Sequence, residues 1–413
     1  MNALVREWRF LRKDRAVMAW LCVALLVSLF AAVTGSIELQ RQHAEIQRVQ
    51  AADAKERSHT LSVQKDWGSA AYYVFHLTYA KPKPESFITQ GERDNFPWKH
   101  RVRMLALEGQ IYEADVSNPT VAVVGRFDLA FIASVLLPLL LIALLYDLRS
   151  GEQDAGRLEL LEATAGSNSL WRTRAFLRAS LLALSLAVPI LLAGFAVGAG
   201  FKASLSAVAL IVLHTAFWSW LILVVGKLRL TTPTLLASLL GVWLLLAVVV
   251  PLLGNLGVTR LVPVPALSQI ALEQREKVND AWDLPKPATM EPFVARHPEW
   301  AEYTEIGQGF EWKWYYAFQQ VGDQSVEELS EAYREGLLRR EQYLDRLALL
   351  SPPMLVARGL KRLTETDLRA MLSYQDAVRS FHEQLRRFHY PGLFLDTPFS
   401  PDAASGLPTF TGE

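Results

Sequence analysis

Five apolar runs, separated by polar stretches of very unequal length, set the pattern of this chain. The first, 16–36, follows a segment, 1–15, in which Leu4, Trp8 and Leu11 recur at helical spacing while Arg6, Arg9, Arg12, Lys13 and Arg15 carry charge, the pattern of a basic amphipathic helix on a membrane surface. The second run covers 128–146, and three more, about 175–199, 203–225 and 233–256, fill 175–256. Each approaches or exceeds the ~20 apolar residues that a helix needs to cross a bilayer. A cleaved signal peptide is the rival reading of the first run, with small residues at Ala31 and Ala32, but the run is long enough to span and more spans follow. Pro189, Pro233 and Pro251 are tolerable near span ends or where neighbours satisfy the freed carbonyls.

Two long polar stretches remain, 37–127 and 257–413. The first has helical character from Glu38 to about Gln64, then aromatic, proline-punctuated sequence through Tyr72, Tyr73, Phe75, Pro82, Pro84, Pro97 and Trp98. The second carries helical stripes at Leu329, Leu337, Leu344 and Leu347, and again at Leu368, Met371, Tyr374, Val378, Phe381, Leu385 and Phe388. The expected fold is mainly α: a polytopic helical membrane protein with five transmembrane helices and two extracytoplasmic domains.

Charge decides orientation. Lys+Arg and Asp+Glu balance at 42 each, so net charge argues neither for nor against nucleic acid. The basic residues, however, gather in 1–15, in the loop 147–174 (Arg172, Arg174, Arg178 lead into the third run) and in Gly226-Lys-Leu-Arg-Leu. All fall on one side if the N-terminus is cytoplasmic, which puts both long polar stretches and the C-terminus outside. The single Cys22 lies inside an apolar run and forms no internal disulfide.

The loop 147–174 reads as a helix over 150–166. Ser150 and Gln153 make a capping-box pattern, and Glu152 and Asp154 place negative charge in the first turn. Leu158, Leu161 and Ala165 form a narrow apolar stripe, and Gly166 suits a left-handed end. By its residues alone it is a partner-docking helix or a solvated connector.

Motifs for chemistry are scarce. Gly226-Lys227 lacks the leading glycine and the hydroxyl of a phosphate-binding loop, and His-Glu-x-x-His, paired cysteines and Gly-x-Ser-x-Gly do not occur. His297-Pro-Glu299 is a weak metal pattern, so no metal ligand and no catalytic residue is assigned. His214, polar within the fourth run, is the only seed for an intramembrane enzyme; its plainer reading is a hydrogen-bonded neutral imidazole. Trp218, Trp220 and Trp243 fit an interfacial aromatic belt. The patch Phe310, Trp312, Trp314, Tyr315, Tyr316 and Phe318 is either the core of the outer domain or a candidate periplasmic partner or ligand surface formed by Trp312, Trp314, Tyr315 and Tyr316.

Glu152-x-x-x-Gly156-x-Leu158-Glu159-Leu160-Leu161, after the second run, resembles the cytoplasmic coupling helix of ABC-2-type transporter permeases, with Arg157 where their usual form has Thr. The basic segment 1–15 resembles their elbow helix. Pro292-Phe-Val-Ala-Arg-His-Pro-Glu-Trp300, Trp314-Tyr-Tyr with Gln319-Gln320 and Asp323, Arg340-Glu341, Leu350-Ser-Pro352 and Thr364-x-Thr-Asp367 are similar to an uncharacterised subgroup with a large periplasmic domain after the fifth span. The resemblance implies a permease subunit in a bacterial inner membrane that couples hydrolysis by a separate ATPase to export or movement. ATP and magnesium would be held by that partner and no cofactor by this chain. Glu152, Gly156, Leu158, Glu159 and Leu161 would engage the ATPase, and a second permease, identical or paralogous, would complete the pathway in the lipid membrane, with no nucleic acid involved. The family usually has a sixth span after the outer domain; none is legible before Glu413. The rival reading is a mechanical or assembly complex that acts on a periplasmic protein.

Overall fold

The computed structural model describes residues 3–112, 127–165, 169–228 and 230–412. The chain is mainly helical, and five of the described helices are long and apolar enough to cross a membrane. Helix α1 (Ala3–Leu11) ends in a turn, after which Asp14 caps α2 (Arg15–Val63), its carboxylate accepting from Val17 N at 3.2 Å. The sequence pattern separates a span ending at residue 36 from a polar helix starting near Glu38; α2 is instead one helix of 49 residues, about 73 Å long. No proline lies within it, so the apolar first run and the polar stretch behind it share one axis.

Beyond α2 the first polar segment folds into α3 (Trp67–Tyr73), the antiparallel pair β1 (His76–Tyr79) and β2 (Lys99–Val102), with His76 opposite Val102, and α4 (Leu107–Tyr112). A 3-10 turn, Pro84–Phe87, presses on α2 at Gly35, where a Cβ would lie 2.0 Å from Phe87 O. A Gly→Ala change inside a helix ordinarily stabilises by about 1 kcal/mol. Here the sign reverses: Gly35→Ala is expected to cost about 1–3 kcal/mol through forced displacement of the turn. A thermal midpoint in detergent equal to or above wild type would refute this close contact.

The remaining spans are α5 (Leu129–Asp154), α7 (Ser169–Val197), α8 (Phe201–Val225) and α9 (Thr232–Leu261), with the short α6 (Leu158–Ala165) between α5 and α7. The long helices α5 and α9 each contain a π turn, at Ile132–Leu136 and Leu245–Val249. Such a turn disturbs the hydrogen-bond ladder, and inside a membrane the freed carbonyls need other donors. Trp243 Nε1 of α9 donates to Val135 O in the first π turn at 3.1 Å. Ser351 Oγ donates to Leu246 O in the second at 2.6 Å.

The second polar segment supplies α10 (Leu267–Asp280), α11 (Lys286–Arg296), α12 (Trp312–Ser325), α13 (Glu327–Ala348), α14 (Pro352–Leu363) and α15 (Leu368–Phe394). Ser351 is also the N-cap of α14, accepting from Met354 N at 3.2 Å. That helix buries Val356 and Leu360 in the core formed by the spans, so the polar segment is anchored on α5, α8 and α9.

The two polar stretches, expected as separate domains, make one body. Val102, Leu107 and Ile111 from the first share a core with Tyr374, Val378, Phe381 and Leu385 from the second. The first turn of α4, whose N–H groups have no partner within the helix, is capped from the second stretch. Asp323 Oδ1 accepts from Leu107 N at 2.7 Å and Glu108 N at 3.2 Å, and Gln274 Oε1 accepts from Gly109 N at 2.6 Å.

Candidate functional site

Residues 3–15, 147–165, 226–228 and 230–232 meet at one end of the spans, and polar side chains tie them together. Glu7 of α1 is buried and accepts from Arg174 Nε of α7 at 2.8 Å. The same guanidinium reaches Glu152 of α5 at 3.8 Å, and Arg157 Nε closes on Glu152 at 2.7 Å. One turn further along α7, Arg178 donates to Leu144 O at 2.6 Å and approaches Asp14 at 3.4 Å. Thr232 Oγ1, at the start of α9, donates to Asp154 at 2.6 Å. The end of α5 is therefore tied to α1, α7 and α9.

The local fold differs from the single helix expected over 150–166. Ser150 is not an N-cap: it is buried inside α5, and its hydroxyl donates to Tyr146 O at 3.3 Å. Tyr146, a single turn residue within α5, keeps helical backbone angles, so the second span continues through the capping-box pattern. The break falls at Gly156, whose φ of +67° is the left-handed conformation that glycine adopts without strain. Gly166 and the side chain of Ala165 lie outside the described residues.

This break sorts the candidate docking residues. Leu158 and Leu161 are half-buried against the chain's own core, and Glu152 is engaged by Arg157 and Arg174. The exposed surface includes Gln153–Arg157, Glu159, Leu160 and Ala163, with Leu160 68% exposed. Arg149 pairs with Glu162 at 2.9 Å and pins α6 to α5. Leu160 was legible as an apolar residue but not as the outward one, because the register of α6 depends on the kink at Gly156.

The aromatic residues of α12 divide in the same way. Trp314 and Tyr316 are core, 5% and 1% exposed, which rules both out as a partner or ligand surface. Their polar atoms are satisfied inside: Trp314 Nε1 donates to Thr289 Oγ1 and Tyr316 Oη to Gly68 O, each at 2.8 Å. Trp312 and Tyr315 are half-buried against this cluster, and Trp312 lies so close to Gly68 that a Cβ there would meet its ring at 1.8 Å. Burial pushes the Tyr315 hydroxyl up to about 12.

A cleft of about 770 Å³ opens instead beside α12, between α11, α13 and α15. Asp323 and Arg386 pair at its floor at 2.5 Å, and Arg379 holds Glu108 through two hydrogen bonds of 2.7 and 2.8 Å. Burial raises the Asp323 carboxyl above its ordinary range, with Arg386 the strongest opposing influence. Burial also works against the charge on Arg379, but the Glu108 carboxylate outweighs it and holds the guanidinium above its usual value. A second chain of hydrogen bonds reaches the cleft wall: Tyr390 Oη donates to Gln320 Oε1, Gln320 Nε2 donates to His297 Nε2, and His297 Nδ1 meets Glu299 at 2.9 Å. Amide geometry assigns the proton to Nδ1, and both ring nitrogens are in use. Gln324 Nε2, buried in the same wall, has no acceptor among the described residues. Of these residues, sequence reading singled out His297, Glu299, Gln320 and Asp323; Glu108, Arg379 and Arg386 carried no signal.

His214 is 3% exposed within α8, with Trp218 edge-on at 6.3 Å between ring centroids. Among the described residues no group of three His, Cys, Asp or Glu side chains is arranged to hold a metal ion.

Residues 268–412 match a family model described as a domain of unknown function (DUF3526). No curated protein and no solved structure matches the chain. The matched segment runs from α10 to the end of the described chain and supplies most of the cleft, while Leu107 and Glu108 come from outside it.

Proposed function

We propose that this chain is the permease subunit of an ABC-2-type transporter in a bacterial inner membrane, with its N-terminus in the cytoplasm and the polar body and C-terminus in the periplasm. A separate ATPase docks at the α5–α6 corner, and a second permease subunit completes the assembly. One observation carries the reading: the corner that presents Gly156, Glu159 and Leu160 is tied by side chains to α1, α7 and α9. A displacement imposed there is passed to three other elements at once.

The test uses Leu160, because its exposure separates docking from folding. The full chain is coexpressed with the ATPases encoded beside it and solubilised in mild detergent. Leu160→Asp is expected to reduce copurification of the ATPase at least about tenfold, the loss of a well-packed contact worth ~1.4 kcal/mol or more. Leu158→Asp is expected to lower the thermal midpoint as well, since Leu158 packs on the chain's own core. Retention of the ATPase by Leu160→Asp at wild-type levels sinks the docking assignment.

A second reading, a mechanical complex that acts on a periplasmic partner, has its own support. The strut α2 joins the α1 corner to the polar body without a break, and the two π turns link α14 to α9 and α9 to α5. The charged cleft, lined by more carboxylates than guanidinium groups and with the Gln324 amide unsatisfied, suits a polar partner segment. ATPase activity stimulated by a periplasmic protein and by no solute favours this reading; stimulation by a solute with its vectorial movement favours the transporter.

A further inference from the structure

A small recess of about 140 Å³ lies at the corner end of the spans, where α5, α7 and α8 meet. Its floor is apolar, formed by buried residues that include Leu145, Leu148 and Ile222. Its rim carries three cations, Arg149, Arg172 and Lys227. Arg149 is held by Glu162 at 2.9 Å. Arg172 and Lys227 are exposed and have no carboxylate partner among the described residues. So uneven a charge at the end of an apolar groove is complementary to an anion that arrives attached to hydrocarbon.

A second observation is independent of charge. Trp171 lines the same recess, only 5% exposed, and its indole Nε1–H is buried with no acceptor among the described residues. Indole N–H can only donate, and a buried donor left unpaired carries a cost of about 1–3 kcal/mol. An oxygen acceptor in the recess would remove it. Trp220, 60% exposed beside the recess, and Val224 offer apolar surface on which an acyl chain can lie outside it.

We propose that this recess binds the phosphate group of an anionic phospholipid, with Arg172 and Lys227 meeting the charge, the Trp171 indole donating to an ester or phosphate oxygen, and the acyl chains running down the outer face of α8, where Leu213, Trp220 and Val224 are exposed. A free phosphate shares the charge and the acceptor atoms but not the hydrocarbon, and the apolar floor favours the lipid. The assignment does not depend on what drives the complex.

The full chain in mild detergent, stripped of endogenous lipid, is titrated with phosphatidylglycerol or phosphatidylcholine and read by native mass spectrometry. One phosphatidylglycerol is expected to be retained at least about tenfold more tightly than phosphatidylcholine. Arg172→Gln/Lys227→Gln is expected to weaken it about thirtyfold, at roughly fivefold per cation near a membrane surface. The charge-matched Lys202→Gln/Arg260→Gln, at the opposite ends of the spans, is expected to leave retention unchanged. Trp171→Phe, which keeps an aromatic ring and removes the donor, should weaken it several-fold. Equal retention of the two lipids, or equal loss in both double variants, overturns the site. Displacement of phosphatidylglycerol by inorganic phosphate at millimolar concentration shows a free-anion site and overturns the lipid assignment.

Discussion

Acidification from about pH 7.5 to about pH 5 is expected to loosen the polar body while the spans stay helical. Four of the histidines buried in that body carry the effect: His76, His100, His382 and His389. Burial is the largest influence on each, lowering His76 and His389 to about 3, His100 to about 4, and His382 well below its ordinary value. Few hydrogen-bond partners stand ready for the charged form. Both nitrogens of His389 and Nδ1 of His76 and of His100 have no partner among the described residues, and His382 faces the Arg386 charge. The folded-state values lie below the unfolded value near 6.5, so the stability these groups contribute is fully present above pH 6.5. It is lost as pH falls from there toward their folded values. At pH 5 each of His76, His100 and His389 takes away about 2 kcal/mol, on the order of 6 kcal/mol for the three, and His382 acts in the same direction, against the ~5–15 kcal/mol typical of a domain. Asp53 and Asp323, raised mainly by burial, act in the opposite direction and soften the loss. Near-UV circular dichroism and amide exchange of the full chain in detergent should place the transition between about pH 6 and pH 4.5, with a steep dependence on pH. His389→Leu is expected to move the midpoint down and to leave stability at neutral pH unchanged or raised, since the imidazole packs edge-on against Trp67 and makes no hydrogen bond among the described residues. A body intact at pH 4.5, or a midpoint that ignores His389, excludes the histidines as the cause.

The five spans were legible because a window of about twenty apolar residues leaves a buried or lipid-facing helix as the only way to satisfy the backbone. What hydropathy cannot mark is where a helix ends once it leaves the membrane. Neither Gly35 nor Ser36 breaks α2, and Ser150 does not start a helix, because in each case the preceding turn is already helical and supplies the carbonyls. The capping-box letters at Ser150 and Gln153 are a signal only when a loop precedes them. Gly156 stands out only within the resemblance, as a docking residue inside one helix; its left-handed backbone, which breaks that helix, was not legible. The aromatic patch could be read as core or surface from composition, and only packing on Gly68 and Thr289 decides for Trp314 and Tyr316. The cleft was the least legible. Asp323 caps amides more than two hundred positions earlier, and Arg379 pairs with Glu108 across 271 positions, separations that no local pattern encodes.

Removal of the Asp323 carboxylate is the largest single-residue effect expected in the body. Its Oδ1 accepts from Leu107 N, Glu108 N and Gln274 Nε2, the last at 2.6 Å, while Oδ2 holds Arg386, 8% exposed. Asp323→Ala leaves a buried guanidinium without its counter-charge and uncaps α4, a cost of about 3–5 kcal/mol. Asp323→Asn separates the two contributions. An asparagine oxygen can still accept from the α4 amides, but its NH2 group then faces the donors of Arg386, so the cap survives and the pair does not. Amide exchange reads the difference directly: Leu107 and Glu108 should lose protection in the alanine variant and keep most of it in the asparagine variant. Asp323→Asn/Arg386→Met is expected to recover part of the loss, because no buried charge is then left unpaired. The two polar stretches meet at this carboxylate, so its loss should also weaken the contact between α4 and α12 that closes the cleft floor. An Asp323→Ala protein within about 1 kcal/mol of wild type, with protected α4 amides, would mean that the body is held elsewhere, and that the ion pair serves the cleft and not the fold.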